Sequence, residues 1–143
     1  MKLIKIEANA VEATWPHVKD LLQKPIDRNL GEYSLEDAKK WLVNDQWHLW
    51  VIVSETDGIV VAATTQFIDF PMERRLGIFL IGSKKNTMKH WLELAWKEDS
   101  PLFEFAKKNA VKRFQGCARD GWIKVSAKLG FKKYYTVLIK DIK

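Results

Sequence analysis

The chain has 143 residues, 47% of them hydrophobic, a formal net charge of +6 and one cysteine. That length suits one core and one domain, residues 1–143. No apolar run nears the ~20 residues that cross a bilayer, and no stretch has the layout of a secretion signal, so a cytoplasmic protein without a membrane span is expected. Cys117 has no partner for an internal disulfide, and a reducing compartment suits it. The basic residues fall in short pairs: Lys39-Lys40, Arg74-Arg75, Lys84-Lys85, Lys107-Lys108 and Lys132-Lys133. They read as a solvated basic surface or as an anion site for a phosphate-bearing ligand. Nucleic acid is the weakest reading, because no basic run is interleaved with aromatic residues.

In chain order, "KLIKIE" alternates and predicts a strand over Lys2–Glu7. Val11, Trp15, Val18 and Leu22 recur at helical spacing and predict a helix over Val11–Gln23. "KPIDRNLGEY" reads as a loop. Ser34, followed by Glu36 and Asp37, is an N-cap with first-turn acids, and Leu35, Ala38, Trp41 and Leu42 supply the next buried stripe. Two β-rich runs then flank Asp57-Gly58. This predicts that Trp47–Ser54 pairs antiparallel with Ile59–Phe67. A third run, Arg74–Gly82, extends the meander. A helix opens near Asn86 or Thr87, and Ser100-Pro101 caps another through about Ala110. "VKRFQGCA" reads as a strand. Asp120 is expected to cap a short helix stopped by Gly130, and "FKKYYTVLIKDI" to close the chain as a strand. Within the short helix, Trp122, Val125 and Leu129 share one face, so Trp122 is expected to be largely buried.

The resulting order is β-α-α-β-β-β-α-(α)-β-α-β, a mixed α+β arrangement with a mostly antiparallel sheet and helices on both faces. That order resembles the GNAT superfamily of acyl-CoA-dependent N-acyltransferases. The C-terminal "AKLGFKKYYTVLIKDI" stands where that superfamily has a helix stop and an aromatic-rich strand. "EYSLEDAKKWL", "LWVIV", "IDFPMERR", "FLIGS" and "ARDGWIKV" look like a phage and prophage subgroup of GNAT-like proteins.

The resemblance implies acetyl-CoA as cosubstrate, held in a V between two parallel strands, with an amine acceptor and no metal. It implies cofactor contacts along Phe79, Leu80, Ile81, Gly82, Ser83, Lys84, Lys85, Asn86 and Thr87. Backbone amides at a helix start there would hold the pyrophosphate. Arg119, Gly121 and Trp122 would lie beside the pantetheine arm. The segment keeps Gly82 but lacks the second glycine of the usual phosphate loop. Amine acetylation needs a base for the amine and an acid for the leaving thiolate. Glu73 is the candidate base, although beside Arg74 and Arg75 it reads more readily as a surface ion-pair residue. Ser126 stands where the superfamily's helix tyrosine commonly stands, and serine is a poor acid. Tyr134 and Tyr135 alternate, so one should point inward. His17, His48 and His90 have no partner at metal spacing, and Cys117 reads as a small buried residue. Trp91, Trp96, Phe103 and Phe105 fit helix packing. Two functions remain open: an N-acetyltransferase, or a GNAT-like protein without catalysis serving as a virion or host-interaction component.

Overall fold

A computed structural model describes residues 1–142. It contains β1 (Lys2–Ile6), α1 (Val11–Ile26), α2 (Leu35–Val43), β2 (His48–Ser54), β3 (Gly58–Asp69) and β4 (Arg74–Ser83). Then follow α3 (Met88–Leu94), α4 (Pro101–Lys108), β5 (Val111–Gly116) and α5 (Gly121–Ala127). The five strands form one sheet in sequence order, antiparallel except for the β4–β5 pair. No helix among the described residues is long and apolar enough to cross a membrane.

The sheet separates two apolar layers. On one face α1 and α2 bring Val18, Leu22 and Leu42 against Leu49, Val51 and Leu80. On the other, α3 and α4 bring Trp91, Leu102 and Ala106 against Trp50, Ile52 and Leu76. β2 is therefore covered on both sides, which explains why "HLWVIVS" is almost continuously buried rather than alternating. The hairpin forms as expected, from His48↔Thr65 to Ser54↔Gly58, with Gly58 at φ +69°. Positive φ is a conformation glycine adopts without steric penalty.

Helix starts follow the chemistry of their caps. At α2 the Asp37 amide donates to Ser34 Oγ (3.2 Å) and the Ser34 amide donates to Asp37 Oδ2 (2.9 Å), a complete capping box. At α4 the Phe103 amide donates to Ser100 Oγ (3.2 Å). Helix α1 runs one turn past the expected Gln23, through Pro25 to Ile26, because Ile26 is buried against the same layer as Leu22.

The C-terminal quarter departs from expectation. Asp120 makes no capping bond and is itself helical in conformation. No residue of α5 is fully buried, and Trp122 is half-buried. Residues 131–142 form no strand. Tyr134 and Tyr135 are both exposed, at 79% and 62%, so neither points inward. The physical reason is common to all of these. Amphipathic periodicity gives a segment a face, but a strand also needs a ladder partner, and no element is paired with this one. The stop at Gly130 (φ +92°) forms as expected, with the Leu129 and Phe131 amides both donating to the Ser126 carbonyl. Phe131 then packs edge-on against Trp96, 5.0 Å between ring centres.

Candidate functional site

The β3–β4 register supplies the site's first feature. Thr64 pairs with Leu80 and Thr65 with Ile78, so Phe79 is an extra residue, a β-bulge in β4. Its consequence is visible in the core, where the consecutive residues Phe79 and Leu80 both pack in the α1–α2 layer. Unbroken alternation would send them to opposite faces. A bulge bends its strand and strengthens the local twist. The parallel pairing of β4 with β5 ends at Ile78↔Gly116, beside this bulge. Beyond it β4 continues through Phe79, Leu80, Ile81, Gly82 and Ser83 with no partner on the β5 side, a stretch of about 16 Å. Alternate amides along that edge have lost their ladder acceptor. The unpaired edge thus begins at one inserted residue.

At the far end of this stretch, β4 turns into α3. The Lys84 amide donates to the Val60 carbonyl (2.8 Å), and the Thr87 amide donates to the Lys84 carbonyl (3.2 Å). The Thr87 hydroxyl lies 2.6 Å from that same carbonyl oxygen rather than capping α3. Asn86 occupies the left-handed region at φ +64°, a conformation Asn tolerates better than most residues. Among the described residues, the amides of Lys85 and Asn86 have no protein acceptor. The Lys84 ammonium donates to the Asp57 carbonyl (3.0 Å). Lys24, which the sequence did not single out, brings a further cation from α1 by donating to the Ser83 carbonyl (2.9 Å).

Gly82 has a role other than the expected one. A Cβ there would lie 1.8 Å from the Leu21 carbonyl oxygen, so the glycine lets the α1 backbone rest directly on β4. Its open face is taken by packing and is closed to a phosphate. Gly121, at the mouth of α5, has nothing within 4 Å of such a Cβ. Arg119 is exposed, and its carbonyl accepts from the Trp122 amide (2.8 Å).

The candidate base is not poised for proton transfer. Glu73 sits six residues before the bulge, about 20 Å along the strand. Its carboxylate accepts from Arg75 Nε (2.6 Å) and from Arg113 Nε (3.0 Å). The hydrogen bond from Arg75, then that from Arg113, hold its pKa below the usual carboxylate value. Arg75 continues the cluster by donating to Gln115 Oε1 (2.8 Å). Asp69 is likewise engaged, by Arg74 Nε at 2.6 Å. Both carboxylates are therefore ion-pair residues. Ser126 is half-buried on α5. Cys117 is exposed rather than buried, because β5 ends at Gly116 and the chain leaves the sheet there.

An aromatic wall stands on the α1–α2 side of the bulge. Trp47 stacks on Phe79 (5.3 Å, 11°), and Tyr33 meets Trp47 (5.2 Å) and Trp41 (5.6 Å) edge-on. Burial, then the charge of Glu32, raises the Tyr33 pKa. The sequence showed "KPIDRNLGEY" only as a loop. Its terminal tyrosine was the one signal that it carries a wall of the site.

No protein-family model matches the sequence, and no curated protein matches it. Solved structures do. An aminoglycoside acetyltransferase from an uncultured soil metagenomic sample, in complex with sisomicin, aligns with a TM-score of 0.70 at 12% identity over 99% of this chain and 96% of that one. Glucosamine-6-phosphate N-acetyltransferase from Arabidopsis thaliana aligns at 0.67 and 14% identity over 99% and 98%. A predicted acetyltransferase with acetyl-CoA from Clostridium acetobutylicum aligns at 0.63 and 17% identity over 99% and 96%. The likeness carries no sign of a phage subgroup. The five-stranded mixed sheet, layered by helices on both faces, has the fold of the GNAT acetyltransferases.

Proposed function

We propose that the chain is an acyl-CoA-dependent N-acetyltransferase acting on an amine. The observation that carries this reading is the end of β4–β5 pairing at Ile78↔Gly116 beside the Phe79 bulge. It leaves an edge of β4 without a partner, and pantetheine is an extended chain with amides of its own that can pair along such an edge. The turn at Ser83–Thr87 would receive the pyrophosphate through the Lys85 and Asn86 amides, with Lys24, Lys84 and Lys85 supplying positive charge.

The reaction forms a bond from the amine nitrogen to the acetyl carbonyl carbon and breaks the carbon–sulfur bond. The amine loses one proton, and the departing thiolate gains one. Negative charge develops on the carbonyl oxygen between these events. Unpaired β4 amides beyond the bulge are the donors suited to it. Glu73, clamped by two arginines, is a poor base, so the amine reacts as its neutral form or passes its proton to water. Ser126 can donate a hydrogen bond toward the thiolate. The clamped Glu73 also favours a second reading, in which the groove binds acyl-CoA without turnover.

Calorimetric titration with acetyl-CoA tests the proposal. Binding is expected, with affinity falling at least tenfold in Lys84→Glu/Lys85→Glu and falling also as salt is raised. A thiol-release assay against a panel of primary amines then separates turnover from binding alone. Absence of any acetyl-CoA binding by a folded protein would overturn both readings.

A further inference from the structure

The buried middle of β3 is apolar from Val60 to Ala63 and then carries two threonines, Thr64 and Thr65, both fully buried. A hydroxyl in such a place is costly unless it is bonded. Thr65 is accounted for on the α3–α4 face, where its Oγ1 accepts from Trp50 Nε1 (2.9 Å) and lies 2.9 Å from His48 Nδ1. Thr64 stands on the other face, opposite Leu80. There its Oγ1 accepts from the Leu80 amide (3.2 Å). A side chain thus supplies an acceptor of the kind a regular ladder takes from the main chain, and the register shifts at this step, between Thr64 and Thr65.

That bond fixes the direction of the amides that follow. Successive amides of a strand point alternately to its two flanks. The Leu80 amide points to β3, and so does the Lys84 amide, which donates to the Val60 carbonyl (2.8 Å). The two are in phase, so the Ile81 and Ser83 amides between them point to the flank that β5 leaves after Ile78↔Gly116. We propose that Thr64 is a positioning residue for acyl transfer. By holding the Leu80 amide it locks the Phe79 bulge and aims the Ile81 and Ser83 amides at the acyl donor. This rests on the acetyl-CoA reading above.

The register itself has other restraints. Phe79 and Leu80 both pack in the α1–α2 layer, and Gly82 rests on the Leu21 carbonyl, so a one-residue slip would drive a neighbouring side chain into the α1 backbone. Loss of the Thr64 hydroxyl therefore loosens the bulge without moving the strand. Misplacement of reacting groups by about 1 Å costs on the order of 100-fold in rate.

The test compares Thr64→Val, which keeps the shape and removes the acceptor, with Thr64→Ser, which keeps the oxygen, and with Thr65→Val, which removes the other buried hydroxyl. Acetyl-CoA affinity, thiol release and melting temperature are read on each. Thr64→Val should weaken affinity by about threefold and lower kcat by about tenfold or more. Thr64→Ser should restore both. Thr65→Val should lower the melting temperature at least as far while keeping affinity and kcat. Where the unaltered chain binds without turnover, affinity alone carries the comparison. Amide exchange on the unaltered chain gives a second measurement if Thr64→Val does not fold. The Leu80 amide should be protected with and without acetyl-CoA, and the Ile81 and Ser83 amides only with it. Free exchange at Leu80, or no gain of protection at Ile81 and Ser83 on binding, overturns the proposal. So does an unchanged Thr64→Val, a Thr64→Ser variant as impaired as Thr64→Val, or an equal functional loss in Thr65→Val. An unaltered chain that binds no acetyl-CoA overturns the acyltransferase reading itself, and this proposal with it.

Discussion

Residues 2–116 and residues 117–142 are written in the same sequence grammar and meet different fates. Both have amphipathic helices, positive-φ glycine turns and runs rich in β-branched and aromatic residues. In the first region each of the four α-helices buries at least one side chain completely, and β2, β3 and β4 sit between two layers. In the second, no side chain is fully buried and no strand forms. Stability is thus concentrated in residues 2–116, and under the proposed function the loosely held region is the one that admits the ligand. Binding regions are generally drawn from the low-stability part of a fold.

The largest test of this contrast uses two tryptophans. Trp50 is fully buried and donates through Nε1 to Thr65 Oγ1 (2.9 Å), so Trp50→Ala should cost ~3–5 kcal/mol in chemical denaturation. Trp122→Ala, which the periodicity of α5 marks as equally severe, should cost clearly less, about 1–2 kcal/mol, because its side chain keeps part of its surface in water. Equal losses would erase the distinction between the regions.

The next test is pH. His48 is buried between the Phe67 and Phe105 rings, with Nδ1 2.9 Å from Thr65 Oγ1. Burial, reinforced by Lys5 and Arg74 and opposed by Asp45, lowers its pKa to about 4. Between there and the ordinary histidine range the unfolded chain holds a proton that the folded chain does not. Stability should therefore rise with pH across the window from 4 to 6.5 and then level off. The rise should amount to roughly 3 kcal/mol. In His48→Gln that slope should flatten, as read from denaturation midpoints across the window. A slope unchanged by the substitution would assign the pH dependence to other groups.

Two glycines give a smaller effect of two different kinds. Gly82→Ala drives a methyl into the Leu21 backbone and should cost ~1–3 kcal/mol or more by overpacking. Gly130→Ala meets no atom but must hold φ +92°, so its cost is that of local strain, about 1 kcal/mol. Ligand affinity sharpens the pair: displacement of α1 from β4 should weaken acetyl-CoA binding in the first variant and not in the second.

The smallest contrast is between helix caps. Ser34→Ala removes a capping box and should lower stability by ~1 kcal/mol. Asp120→Ala removes no capping bond and should leave the melting temperature within error. A drop at Asp120 equal to that at Ser34 would show that α5 is capped in solution.

Local chemistry made much of this protein legible without its structure. Ser34 with Asp37, Ser100-Pro101 and Asp57-Gly58 each specify a cap or turn through atoms a few residues apart, and all three form. The fold class followed, because the elements so delimited pack in few ways. The site was less legible. The Phe79 bulge is a mismatch in count between β3 and β4, and Gly82's role depends on Leu21, some sixty residues earlier in the chain. Neither leaves a mark in its own segment. Glu73 shows the same limit, since its neighbour Arg75 was visible in the sequence but Arg113 reaches it only through the β4–β5 pairing. The C-terminal segment marks the boundary most clearly. Its sequence set the alternation of "YYTVLI", while only tertiary structure could decide whether a ladder partner lay beside it, because a strand's hydrogen bonds are made between segments and never within one.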